Sequence, residues 1–204
     1  MSERTPIAYI VDDDEVTRSY FNAVLSEAGL TCCLMDTAAS FLETYDADQP
    51  GCLLLDIRMP GMTGMELQHQ LNLRGAIIPV IFITAHAEIP LAVEAIIQGA
   101  FDFLQKPISH QPLLACVRKA LAYDESNRDV LRKREQLNRR FESLTGRERQ
   151  VLTLLVAGHS NKVMADELHL SPRTIELHRA QVMEKTGCQS LAQLVRMAMQ
   201  LNVT

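Results

Sequence analysis

Ile7-Ala8-Tyr9-Ile10-Val11-Asp12-Asp13-Asp14 sets five apolar residues directly against three acids. A short unbroken apolar run fits a strand buried on both faces, as in a parallel sheet covered by helices. Acids that close such a strand leave the core at one edge of the sheet. The pattern recurs along the chain. Thr31–Met35 reads as a second strand, and Cys52–Leu55 as a third that ends in Asp56. Pro79–Ile83 reads as a fourth, ending in Thr84, and Phe101–Leu104 as a fifth, ending near Lys106-Pro107. Helical spacing fills the gaps. Val16, Tyr20, Val24 and Ala28 recur until Gly29, followed in turn by Ser40–Tyr45, Gly64–Leu71, Pro90–Gln98 and a longer pattern from Ser109. Strands alternating with helices in this way predict an α/β domain with a parallel sheet.

In an open parallel sheet the carboxyl ends of the strands line one edge, and ligands bind in the crevice there. Asp12, Asp13, Asp56, Thr84 and Lys106 all fall at such ends. Carboxylates brought that close repel one another, and a bound cation relieves the repulsion. All-oxygen ligands with room for waters suit Mg²⁺, or Mn²⁺ in its place. Asp12, Asp13 and Asp56 would hold the metal with the backbone carbonyl of Arg58. The Asp56 carboxylate can attack phosphorus and become an aspartyl phosphate. Lys106 would neutralise charge on the phosphoryl oxygens, and Thr84 would hydrogen-bond one of them. A lone Asp after a strand is ordinarily a turn residue or helix cap, and Asp14 fits that role. Five such residues at matching strand ends point to a site.

Ile10-Val11-Asp12-Asp13-Asp14, Leu55 to Gly64, Ile83-Thr84-Ala85-His86 and Gly99 to Pro107 together resemble the signature blocks of two-component receiver domains, and among these the FixJ subgroup. The resemblance covers residues 6–122. It implies a flavodoxin-like five-stranded sheet of order 2-1-3-4-5, phosphorylation at Asp56 by a histidine kinase, and a cis peptide before Pro107. It also implies a switch pair, with Thr84 following the phosphoryl group inward and Phe103 filling the space behind it. Ile108 stands where the family more often has Phe. Ile89, Leu91, Val93, Ile96 and Ile97 give the fourth helix more apolar residues than one buried face needs. Core packing accounts for most of them, and a phosphorylation-dependent dimer contact for the surplus.

Ser109 to about Arg140 contains no Gly and only Pro112, near its start, where Pro is tolerated. Leu113, Val117 and Leu121 form a stripe that can pack on the sheet, and residues 124–129 are polar. Two readings stay open for 123–140: a solvated helical or broken linker, or a signalling helix that pairs with its counterpart in a dimer.

Beyond it, Gly146–Val156 and Asn161–Leu168 read as helices, and Ser171-Pro172 as an N-cap with Pro at the first helical position. A helix to about Thr186 and another over Leu191–Leu201 complete a four-helix, all-α helix-turn-helix unit. Leu144 to Leu152, Gly158, Asn161-Lys162, Ala165, Leu168, Ser171 to Arg179 and Lys185 resemble the LuxR-type DNA-binding domain over about residues 141–203. The combination resembles the NarL/FixJ family of response regulators, with a receiver over 1–122, a linker over 123–140 and a DNA-binding domain over 141–204. Ile175, Val182 and His178 are expected to face inward. Arg173, Glu176, Leu177, Ala180 and Gln181 are candidates for the major groove. Lys162, Thr174, Arg179 and Lys185 are candidates for phosphate contacts.

Charge agrees with two jobs. Residues 1–122 hold 7 Lys and Arg against 15 Asp and Glu, whereas residues 144–204 hold 7 against 5. So small a basic excess gives one copy weak DNA affinity, so a homodimer on paired half-sites is expected. The five cysteines have neither a CxxC nor a zinc-ligand spacing, and read as reduced core thiols. No signal peptide or membrane span is evident, so a cytosolic protein is expected. The expected partners are a histidine kinase, double-stranded DNA and a second copy, with RNA polymerase a further candidate and no membrane. Activation of transcription is the expected outcome. Two rivals are a constitutive DNA-binding protein with an idle receiver and an aspartate-dependent phosphatase. The phosphatase reading expects a second Asp two residues after the nucleophile, where this chain has Arg58.

Overall fold

The computed structural model describes residues 4–85 and 89–201, without the side chains of 89–92. His86 and the side chains of Ile89 and Leu91 therefore lie outside the described residues. Contacts within the chain divide it into residues 1–129 and 130–204.

The first unit contains β1 (Ile7–Val11), α1 (Glu15–Glu27), β2 (Thr31–Met35), α2 (Ala38–Thr44), β3 (Gly51–Asp56), α3 (Gly64–Leu73), β4 (Val80–Thr84), α4 (Ile89–Ile97) and β5 (Asp102–Gln105). The strands form one parallel sheet of order β2-β1-β3-β4-β5. Alternate residues of each strand face opposite sides. Ala8, Ile10, Cys52, Leu54, Ile81 and Ile83 meet Phe21, Val24 and Leu25 of α1 and Leu113, Val117 and Ala120 of the following helix. Tyr9, Val11, Leu53, Leu55 and Phe82 meet Phe41, Leu67, Leu71 and Ala95 on the other side. Every residue of the central β3 is buried, which explains its continuous apolar sequence, whereas β5 at the edge is only half-buried.

The buried face of α1 differs from the expected one. Phe21, Val24 and Leu25 are buried, while Val16 is 76% exposed. Val16 occupies the first turn beside the acidic loop, where Asp14 caps the helix by accepting from the amides of Val16 and Thr17. The apolar periodicity therefore carries the burial only from the second turn onward.

α5 runs unbroken over His110–Glu142, so the join is helical rather than broken. Asp124 and Arg128 on this helix are buried against the first unit. Arg128 Nε lies 2.7 Å from Asp124 Oδ2, and its other two nitrogens donate to the carbonyls of Ala47 at 2.7 Å and Gln49 at 2.9 Å. Asp124 Oδ2 also accepts from the amide of Gly51 at 2.9 Å, so the polar stretch ties α5 to the start of β3.

The second unit contains α6 (Gly146–Val156), α7 (Asn161–Leu168), α8 (Pro172–Thr186) and α9 (Leu191–Gln200). Its core gathers Phe141, Leu144, Val151, Leu152, Leu155, Met164, Ile175, Val182, Leu194 and Ala198. Thr145 and Glu148 form a capping box at the start of α6, satisfying amides that a helix N-terminus leaves without partners. His169 closes α7 in the left-handed region at φ 54°, and Ser171 caps α8 by accepting from the Thr174 amide. That reversal and cap form the turn between the paired helices.

Candidate functional site

The carboxyl edge of the sheet collects the expected polar residues. Asp12 follows β1, Asp56 ends β3, Thr84 ends β4, and Lys106 follows β5. Lys106 Nζ lies 2.7 Å from Asp12 Oδ2 and 2.8 Å from Asp56 Oδ1. One ammonium thus joins acids from two strands. Asp12 is 2% exposed, Asp56 7% and Thr84 3%. Asp56 Oδ2 accepts from the amide of Arg58 at 2.7 Å, and Asp12 Oδ1 from the amide of Asp14 at 2.9 Å. The Lys106 amide donates to the Thr84 carbonyl at 2.8 Å, and the Lys106–Pro107 peptide is cis.

The electrostatics follow from burial. Burial raises the Asp12 carboxyl above its usual range, against the hydrogen bonds from Lys106 and the Asp14 amide, with Asp56 raising it further. Burial disfavours the charged Lys106 ammonium, but its bonds to Asp12 and Asp56 outweigh this and hold its pKa above the usual value. Two buried carboxylates share this one ammonium, so negative charge is in excess. Asp13 is exposed, and among the described residues no three acidic, histidine or cysteine side chains are grouped to hold a metal. The donors that are together suit a hard cation, as the ammonium between two carboxylates shows.

Thr84 follows Phe82 by two residues, and Phe82 pairs in register with Phe103 on β5. Thr84 and Phe103 therefore share a sheet face, with Phe103 packed at the margin of the core. Gly64, at the start of α3, passes so close to β3 that an added Cβ would lie 2.3 Å from the Asp56 carbonyl oxygen. No side chain but hydrogen fits there.

On α8, Ile175 and Val182 are buried, His178 is half-buried, and Arg173, Glu176, Leu177 and Ala180 are exposed. Gln181 is half-buried and Lys162 exposed. Leu177 is 58% exposed. Thr174 Oγ1 lies 2.8 Å from the Ser171 hydroxyl, and the Arg179 guanidinium hydrogen-bonds the Asn161 side chain. Lys185 Nζ lies 2.7 Å from Glu148 Oε2. Sequence reading missed this pair, as it missed the Asp124–Arg128 clamp. Lys162 and Arg173 are spaced like any solvated charge, and their place beside the turn is what distinguishes them.

Comparison with known proteins agrees with both halves. Residues 8–118 match the response regulator receiver domain, and residues 142–198 match bacterial regulatory proteins of the luxR family. The transcriptional regulatory protein FixJ of Azorhizobium caulinodans is 42% identical over 199 residues, covering 98% of this chain and 94% of that protein. The response regulator protein TodT of Pseudomonas putida is 38% identical over 201 residues, covering 98% and 88%. Among solved structures, the response regulator StyR matches 96% of this chain and 99% of its own with a TM-score of 0.89 and 42% identity. Full-length FixJ from B. japonicum matches 98% and 99% with a TM-score of 0.60 and 39% identity.

Proposed function

The chain belongs to the response regulators of the NarL/FixJ type, with a receiver domain and a LuxR-type DNA-binding domain that regulates transcription, and from that premise we propose that Asp56 is its phospho-acceptor. The observation that carries the reading is the Lys106 ammonium held between Asp12 and Asp56. A carboxylate oxygen of Asp56 forms a bond to phosphorus as the bond from phosphorus to a nitrogen of the kinase's phosphohistidine breaks. The imidazole keeps the electron pair of that bond. Lys106 stays against the phosphoryl oxygens, and the Thr84 hydroxyl donates to one of them. Mg²⁺ would be held by Asp12, Asp13, Asp56 and the Arg58 carbonyl. When bound, it supplies positive charge that offsets the charge of the phosphoryl group.

The acyl phosphate adds about −1.5 to −2 charges at the sheet edge. Thr84 and Phe103 share a face and can relay that change toward β5 and α4. Val93, Ile96 and Ile97 of α4 are 51%, 48% and 79% exposed, which supports a contact between two phosphorylated copies there. Dimerisation sets two α8 helices on paired half-sites and raises DNA affinity. Arg173, Glu176, Leu177, Ala180 and Gln181 would read base edges. Lys162, Thr174 and Arg179 would bind phosphates, and Lys185 can add a further phosphate contact beside its pair with Glu148.

The test uses the full chain with acetyl phosphate and Mg²⁺. The wild type gains one phosphoryl group by mass, shifts to a dimer, and retards promoter DNA at lower concentration. Asp56→Asn gains none. An Asp56→Asn chain that still takes phosphate and switches, or equal DNA binding with and without phosphorylation, overturns the reading.

A further inference from the structure

The Lys106 ammonium is placed by the turn between β5 and α5, so what fixes that turn matters for the chemistry. At Lys106 the backbone is tied to β4 by the hydrogen bond that its amide donates to the Thr84 carbonyl. After it comes Ile108, whose side chain is buried among the core residues between the sheet and α1. Its carbonyl needs a partner that α5 cannot supply. A helix offers the carbonyl of residue i the amide of residue i+4. Ile108 stands before α5, whose ladder begins with the bond from the Leu113 amide to the Ser109 carbonyl at 3.4 Å, so its carbonyl lies outside that ladder. The partner comes instead from α1: the Tyr20 hydroxyl donates to the Ile108 carbonyl at 2.9 Å. The His110 imidazole packs against the Tyr20 ring with centroids 5.6 Å apart. From the same helix, Arg18 donates to the Asp12 carbonyl at 2.6 Å. α1 therefore holds the segments bearing two of the three groups joined in the site.

On the reading of Asp56 as phospho-acceptor, we propose that Tyr20 is a positioning residue for phosphoryl transfer, acting through Lys106. Its hydroxyl satisfies the Ile108 carbonyl, which lies outside the helix ladder, and so keeps the turn where the ammonium reaches Asp56. Without the hydroxyl the Ile108 carbonyl must turn toward water, and the ammonium samples positions away from the phosphoryl oxygens. The effect belongs to the reaction rate and not to metal affinity, because Tyr20 touches none of the carboxylates.

The test compares Tyr20→Phe with the wild type in the full chain, because Phe keeps the ring against His110 and removes only the hydrogen bond. Phosphorylation by acetyl phosphate with Mg²⁺ is expected to slow by roughly three- to tenfold, the range for loss of one hydrogen bond. Mg²⁺ affinity by calorimetry, without a phosphodonor, is expected to stay the same. In a Lys106→Ala background, Tyr20→Phe is expected to cause no further slowing. An unchanged rate on Tyr20→Phe in the chain that keeps Lys106 overturns the proposal. So does equal slowing in both backgrounds, or a loss of Mg²⁺ affinity, either of which assigns Tyr20 a general structural role. A wild-type chain that takes no phosphate overturns the phospho-acceptor reading itself, and this proposal with it.

Discussion

Lys185 Nζ lies 2.7 Å from Oε2 of Glu148, a carboxylate that is 3% exposed and also closes the capping box of α6. The pair ties the end of α8 to the start of α6. The Lys185 hydrogen bond is the largest influence holding the Glu148 carboxyl below its ordinary value of 4.5, opposed by desolvation and aided by bonds from Thr145. The folded chain therefore binds this proton less readily than the unfolded one. The stabilisation is complete above the unfolded value and is lost as pH falls through the lower folded value. Glu148→Gln is expected to cost about 1.5–3 kcal/mol at neutral pH, as for a hydrogen bond to a charged group. Urea melts followed by the methyl signals of Leu152 and Val182 should show the gap to wild type closing in acid.

Arg128→Met is expected to destabilise the receiver by about 3–5 kcal/mol, because it leaves Asp124 buried without its countercharge. The carbonyls of Ala47 and Gln49 lose donors in the same step. Replacing Asp124 by Leu in addition should cost less than the sum of the single changes. Denaturant melts of the four chains form the double-mutant cycle that measures this.

Gly64→Ala is expected to cost about 1–3 kcal/mol or more and to slow phosphorylation of Asp56. The added Cβ would press on the Asp56 carbonyl, which is backbone and cannot rotate away. Melting temperature and the acetyl phosphate reaction would be read on the same preparation. A variant with wild-type values for both would contradict the close approach.

Two apolar residues of α8 should separate folding from DNA binding. Ile175 is buried in the helical core, and Leu177 stands exposed on the same helix. Ile175→Ala is expected to cost about 2–5 kcal/mol of stability. Leu177→Ala should change stability by less than about 0.5 kcal/mol, as an exposed substitution does, and still weaken binding to promoter DNA in a gel shift.

Much of the site was legible because strand ends are legible. An apolar run stops where the sheet stops, so the polar residue that follows is placed at the edge by position alone, as with Asp56 after Leu55. The second helix of the turn, α8, was legible for a similar reason, since Ser171-Pro172 marks its first turn and periodicity separates Ile175 and Val182 from Leu177. The face of α1 was less so. Val16 carries the right residue type for the stripe but stands in the first turn, beside the acidic loop, and periodicity does not say where a core begins.

The amino-acid order by itself determined the alternation of strands and helices, the caps, and which residues fall at the edge of the sheet, because hydrophobic period and capping are local properties. The folded structure alone decided which polar groups meet: Tyr20 with the carbonyl of Ile108, 88 positions away, Arg128 with the loop before β3, and Lys185 with Glu148. Such pairings have no period. They form where packing of the apolar faces leaves a donor opposite a carbonyl or carboxylate that water can no longer reach.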